Sequence, residues 1–129
     1  MRRTVLAALI LLTPLPAAAF TARNGMTVTQ AGPTEIAVAW SGGRRDTDYW
    51  CAAGDYAQRV LNQPVGARLW RASPKPRRGG EGILFTLDAS RKAAGAGLSQ
   101  FGAGPRDEAI SVGAAVSGHC RVIPPLLLE

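Results

Sequence analysis

Three scarcities bound what this 129-residue chain can be. It has two cysteines and one histidine, which fall short of a structural zinc set, so no metal is expected. No apolar run approaches the about 20 residues of a helical bilayer span. Aromatic residues make up 6% of the chain and are not interleaved with basic ones on a periodic face, which excludes the common nucleic-acid modules despite a formal charge of +6. No internal repeat appears, and nothing in the sequence calls for a cofactor.

What is present starts with the leader, "MRRTVLAALILLTPLPAAAF". Arg2 and Arg3 precede an aliphatic run from Val5 to Leu12, Pro14 and Pro16 break it, and Ala17, Ala18 and Ala19 offer a cleavage site. This is the three-part layout of a secretory signal peptide, residues 1–19, leaving one domain over 20–129. No cysteine follows the cut, which argues against a lipid anchor. The 129 residues less 19 leave 110, and loss of Arg2 and Arg3 leaves 13 basic against 9 acidic side chains, a net +4. The expected compartment is the periplasm or the exterior, with no membrane span after processing.

Patterning along the rest reads as short elements. "MTVTQ" (26–30) and "EIAVAW" (35–40) alternate around a Gly-Pro turn and predict a β-hairpin, with Ile36, Val38 and Trp40 on one face. "ARLWRA" (67–72) and "ILFTLD" (83–88) predict two more strands. "EAISVGAAVS" (108–117) resumes alternation through Ile110 and Val112, and "HCRV" continues or follows that strand. The Gly/Ala-rich stretch 89–105 has no decisive period, and "IPPLLLE" reads as an irregular tail. The expected class is α+β: a mostly antiparallel sheet of about 4–5 strands on one main helix (about residues 47–62), in the order β-β-α-β-β-β.

That helix holds "DTDYWCAAGDYAQRVL" (46–61). At 100° per residue, Trp50, Ala53, Ala57 and Leu61 form the buried stripe, Tyr49, Tyr56 and Val60 flank it, and Ala52, Asp55 and Arg59 face away. Asp46 or Thr47 is expected to cap its start, and Pro64 to end it. Gly54 costs about 1 kcal/mol against alanine in a helix interior. Such a residue implies that something packs close, either a strand or the chain around Cys120.

Cys51 admits two readings. A thiol near a helix N-terminus with Arg44 and Arg45 close in sequence has a lowered pKa, and His119 would then serve as base in a cysteine hydrolase of cell-wall or peptide amides. Asp46 and Asp48 oppose that thiolate. The other reading is a staple: two cysteines in an exported small domain leave one intramolecular pairing, Cys51–Cys120. The staple requires less and is preferred.

The stretches "TARNGMTV", "DYWCAAGDYA" and "FTLD" resemble a family of small exported proteins of alphaproteobacteria with the same signal-peptide start and a second cysteine near the end. The resemblance implies a bacterial periplasmic setting and transfers no catalytic residue.

The loop "RASPKPRRGGEG" places Arg71, Lys75, Arg77 and Arg78 within eight residues. It is a solvated hairpin connection or, functionally, an anion-binding site for an envelope component or an acidic protein partner. The expectation is a non-catalytic periplasmic binding or accessory protein of the cell envelope, with the Cys51–His119 hydrolase as the alternative.

Overall fold

The computed structural model describes residues 18–74, 77–94 and 109–120. The leader through residue 17, Lys75, most of the Gly/Ala-rich stretch and the C-terminal tail from residue 121 lie outside the described residues. The class is α+β, with one open antiparallel sheet of six strands and two helices.

The strands are β1 (Phe20–Thr21), β2 (Thr27–Gln30), β3 (Glu35–Val38), β4 (Arg68–Arg71), β5 (Ile83–Thr86) and β6 (Ile110–Ser111). Helix α1 (Asp46–Arg59) joins β3 to β4, and helix α2 (Val112–His119) follows β6. The spatial order is β1-β2-β3-β5-β4-β6. Strand β5 thus inserts between β3 and β4, and the crossover through α1 becomes a split β-α-β unit. The predicted hairpin is β2 on β3, in register Val28↔Val38 and Gln30↔Ile36.

Alternation sends Val28, Ile36, Val38, Leu69, Ile83 and Phe85 to the helix side, where all are buried with Trp50, Ala53 and Ala57 of α1. Trp50 meets Phe85 edge to face with ring centroids 4.8 Å apart. Trp40 does not join them. The β3–β5 ladder ends at Val38↔Ile83, so strand alternation no longer governs a residue two positions further on, and Trp40 is 52% exposed.

Helix α1 was expected to have one buried stripe, but every residue from Tyr49 to Ala57 is buried. The sheet takes one side and α2 another. A segment read as strand is therefore mostly helix. Only Ile110 and Ser111 pair with β4; Ser111 Oγ then accepts the Ala114 N–H at 3.1 Å and caps α2. Val112, Ala115 and Val116 recur at helical spacing, and Val112 and Ala115 are buried in the common core. A strand pattern through Ile110 and Val112 is too short to separate the two periods.

The start of α1 also departs from expectation. Arg45 is the cap residue, and Asp48 Oδ2 accepts its N–H at 2.9 Å. Asp46 is left free to pair elsewhere. At the other end, Asn62 adopts φ 52°, a left-handed exit that asparagine tolerates, and the helix stops at Arg59, three residues before it.

Asp55 was placed on the outward face and is fully buried. The turn after β1 covers it. Oδ2 accepts the Arg23 N–H at 2.9 Å, while Arg59 donates to both oxygens at 2.8 and 2.6 Å. Burial by itself would raise the Asp55 pKa; the Arg59 hydrogen bonds, the Arg23 N–H and both positive charges outweigh it and hold the carboxyl below its ordinary value. A depressed carboxyl contributes stability that is present above its unfolded pKa of about 3.9 and lost as pH falls through the lower folded value. Asp55→Asn is expected to cost about 2 kcal/mol at neutral pH, since it turns charged hydrogen bonds into poorly matched neutral ones. Melts between pH 3 and 7 check this. The variant should lose less stability below about pH 4 than the parent. A parallel acid decline would show that Asp55 is not the group responsible.

Candidate functional site

The connection between β4 and β5 turns beneath the start of α1, and the basic cluster folds there. Arg71 sits two residues after Leu69 on β4, so alternation turns it inward, and its side chain is 1% exposed. Its Nε donates to the Ser73 carbonyl at 2.8 Å, Nη2 to the Pro74 carbonyl at 3.1 Å, and Nη1 to Asp46 Oδ2 at 3.3 Å. The expected exposed ligand is in fact a buried brace that shapes its own loop. Burial pushes the Arg71 pKa below its ordinary value; Asp46 works against that, and the neighbouring Arg77 charge adds to it.

Arg77 returns to the same place. Its guanidinium lies 4.6 Å above the Tyr49 ring, with Nε 3.6 Å from Asp46 Oδ1. Nη1 donates to the Glu81 carbonyl and Nη2 to the Arg44 carbonyl, at 3.3 and 3.4 Å. Nε itself makes no hydrogen bond among the described residues. Arg78 is exposed, and its carbonyl accepts the Glu81 N–H at 3.1 Å, closing a turn through Gly79 and Gly80. Gly80 holds φ 82°, which a side chain would resist.

Arg71, Arg77 and Arg78 line one cavity of about 280 Å³ together with Ser73, Pro74, Glu81 and Gly82. Three of the four basic residues singled out from the sequence are therefore brought together, in unequal roles; the fourth, Lys75, lies outside the described residues. Two arginines are tethered, and Arg78 is exposed. The opposing carboxylates are Asp46 behind the cavity and Glu81 in its wall, so this group of five keeps one net positive charge. Asp46 was missed as a member, having been read as a helix cap and as a charge opposing a Cys51 thiolate. The one sequence signal for it was two acidic residues at a helix start, which the helix dipole explains equally well.

The alternative pair lies elsewhere. Cys51 is fully buried and its Sγ is bonded to Cys120 Sγ at 2.04 Å, so in this state it carries no thiolate. His119 stands on the last turn of α2, half-buried and adjacent to the bridge. Among the described residues no group of three or more His, Cys, Asp or Glu is placed to hold a metal ion.

Gly82 is a structural requirement of the same region. A Cβ there would collide with the Val38 carbonyl and come within 3.1 Å of the Trp40 nitrogen, so the loop can re-enter the sheet only through glycine. No family model, curated protein or solved structure matches the chain.

Proposed function

We propose that this chain is an exported, periplasmic binding protein of the cell envelope, without a reaction of its own, that takes an anionic group at the β4–β5 cavity. One observation carries the reading: Arg71, Arg77 and Arg78 converge on a single cavity of about 280 Å³. Arg71 and Arg77 are held by carbonyls, Asp46 and the Tyr49 ring, so little side-chain freedom is lost when an anion arrives. Arg78 is exposed and adds a mobile contact. The leader and the Cys51–Cys120 bridge support an oxidising compartment outside the cytoplasm.

Inorganic pyrophosphate, titrated by calorimetry at low and at physiological salt, is the test. Binding should weaken as salt rises, because much of the site is open to water. Arg78→Gln should weaken it about three- to fivefold, the size of one exposed charge contact, with the melting temperature unchanged. Arg77→Gln should weaken it further, at some cost in stability. No binding at low salt, or equal binding by both variants and the parent, would remove the reading.

A further inference from the structure

The far face of the sheet continues this site. Because Ile36, Val38, Ile83 and Phe85 point to the helices, Thr29, Ala37 and Leu84 point the other way. The register aligns them in one row across three strands, Thr29↔Ala37↔Leu84. Toward one end this face is occupied: a 3-10 turn (Ala89–Arg91) brings Arg91 Nη1 to within 2.8 Å of Glu35 Oε1, and Ala93 N–H bonds to the Arg71 carbonyl. Among the described residues, the other end of the row is left open. There Thr29, Ala37, Val38, Ala39, Ile83 and Leu84 line a groove of about 510 Å³, whose remaining wall is Ser73, Glu81 and Gly82. Those three residues also line the basic cavity. The apolar groove and the arginine cavity therefore adjoin, sharing these three residues as a common rim.

We propose that the ligand is a dispersed single-chain amphiphilic anion, with its charged head among Arg77 and Arg78 and its apolar chain along Ala37 and Leu84. This deepens the anion-binding reading and rests on it. Charge placement selects the class. Among the described residues that line the two spaces, the positive groups are Arg71, Arg77 and Arg78, all in the cavity; the row Thr29–Ala37–Leu84 is uncharged, and Glu81 lines both spaces. A ligand with negative charge along its length would meet Glu81; one with charge at a single end would not. Small side chains at Ala37 and Ala39 leave room on the sheet surface, and burying methylenes there supplies affinity that the partly neutralised arginines cannot.

Octyl phosphate below its micelle concentration, inorganic phosphate and octyl glucoside, each titrated against the protein, separate the possibilities. Octyl phosphate is expected to bind about tenfold or more tightly than inorganic phosphate, about 1.4 kcal/mol. It should also shift the methyl signals of Ala37 and Leu84. Leu84→Ser should remove most of that advantage and leave inorganic phosphate binding as it was. The methyl shifts in the parent protein report on the groove even if the variant folds poorly. Equal binding of octyl phosphate and inorganic phosphate would overturn the groove assignment and leave the cavity reading standing. Octyl glucoside binding as well as octyl phosphate would overturn it too, since the head would not be read. So would capture by anionic vesicles without binding of dispersed octyl phosphate. If no phosphate compound binds, both readings fall.

Discussion

Reduction of the Cys51–Cys120 bridge, or Cys51→Ala with Cys120→Ala, is expected to destabilise the protein by about 4 kcal/mol and to lower its melting temperature by about 15 °C. The bridge joins positions 69 apart in sequence, so the loop it closes spans most of the domain, and opening it returns that conformational freedom to the unfolded chain. The local consequence is sharper. Helix α2 has eight residues, two of them glycine, and a helix of that length does not persist in water without a partner. Its far end is tied to α1 through Cys120, the residue that caps it. Loss of the bridge should release α2 first, which hydrogen exchange of its amides would report before global unfolding. Intact mass after alkylation under denaturing conditions gives the redox state directly: neither cysteine should label until the bridge is reduced. A native protein that alkylates at Cys51 without reductant would reopen the Cys51–His119 chemistry. An unchanged melt after complete reduction would show that packing alone holds α2.

Enlarging Gly54 is the second large effect. A Cβ at this position would lie 2.7 Å from the Ala115 Cβ, 3.3 Å from the Val112 carbonyl and 3.4 Å from Val116 Cγ2. The closest of these atoms is fixed to the α2 backbone, so relief requires moving the helix and not a rotamer. Gly54→Ala gains about 1 kcal/mol in helix propensity and loses more to the clash, for a net loss of about 1 kcal/mol. Gly54→Leu is expected to cost about 3 kcal/mol or more. Ala115→Gly should recover part of the Gly54→Ala loss, since it removes the atom that collides. A double-mutant cycle measures that coupling, and additive single effects would mean that the contact is not what limits this position. Denaturant melts of Gly54→Leu within about 0.5 kcal/mol of the parent would sink the prediction.

The two effects meet at one joint. The interface between α1 and α2 seats Gly54 against Val112, Ala115 and Val116, and is pinned by the only two cysteines in the chain. Close approach and a crosslink compensate for a short second helix. The binding site proposed above lies at the N-terminal end of α1, where Asp46 holds Arg71 and Arg77. Thus one helix organises both the staple and the cavity.

Sequence alone determined the local order and the covalent link. Alternation in residues 26–38 and 83–86 specified the hairpin and the central strand, because those segments lie against one apolar face and a period of two reports it faithfully. Two cysteines allowed one intramolecular pairing, and the close packing read from Gly54 needed no knowledge of its partner. Tertiary structure decided the rest, for an equally definite reason: periodicity describes a single interface, and several residues here answer to two. Helix α1 is covered by the sheet, by α2 and by the turn after β1, so Asp55 is buried although the helical wheel turns it outward. Arg71 is a strand residue before it is a loop residue, and its inward direction depends on where the β4 ladder ends. Trp40 is exposed because the β3 ladder ends before it. Residues 112–119 became a helix through the local Ser111 cap and through the seat of Ala115 on Gly54, and the second of these is a contact across about half the chain that no local pattern contains. The composition of the basic loop was legible; that Arg71 and Arg77 are tethered depends on Asp46, Tyr49 and the Arg44 carbonyl as well as on carbonyls of the loop itself.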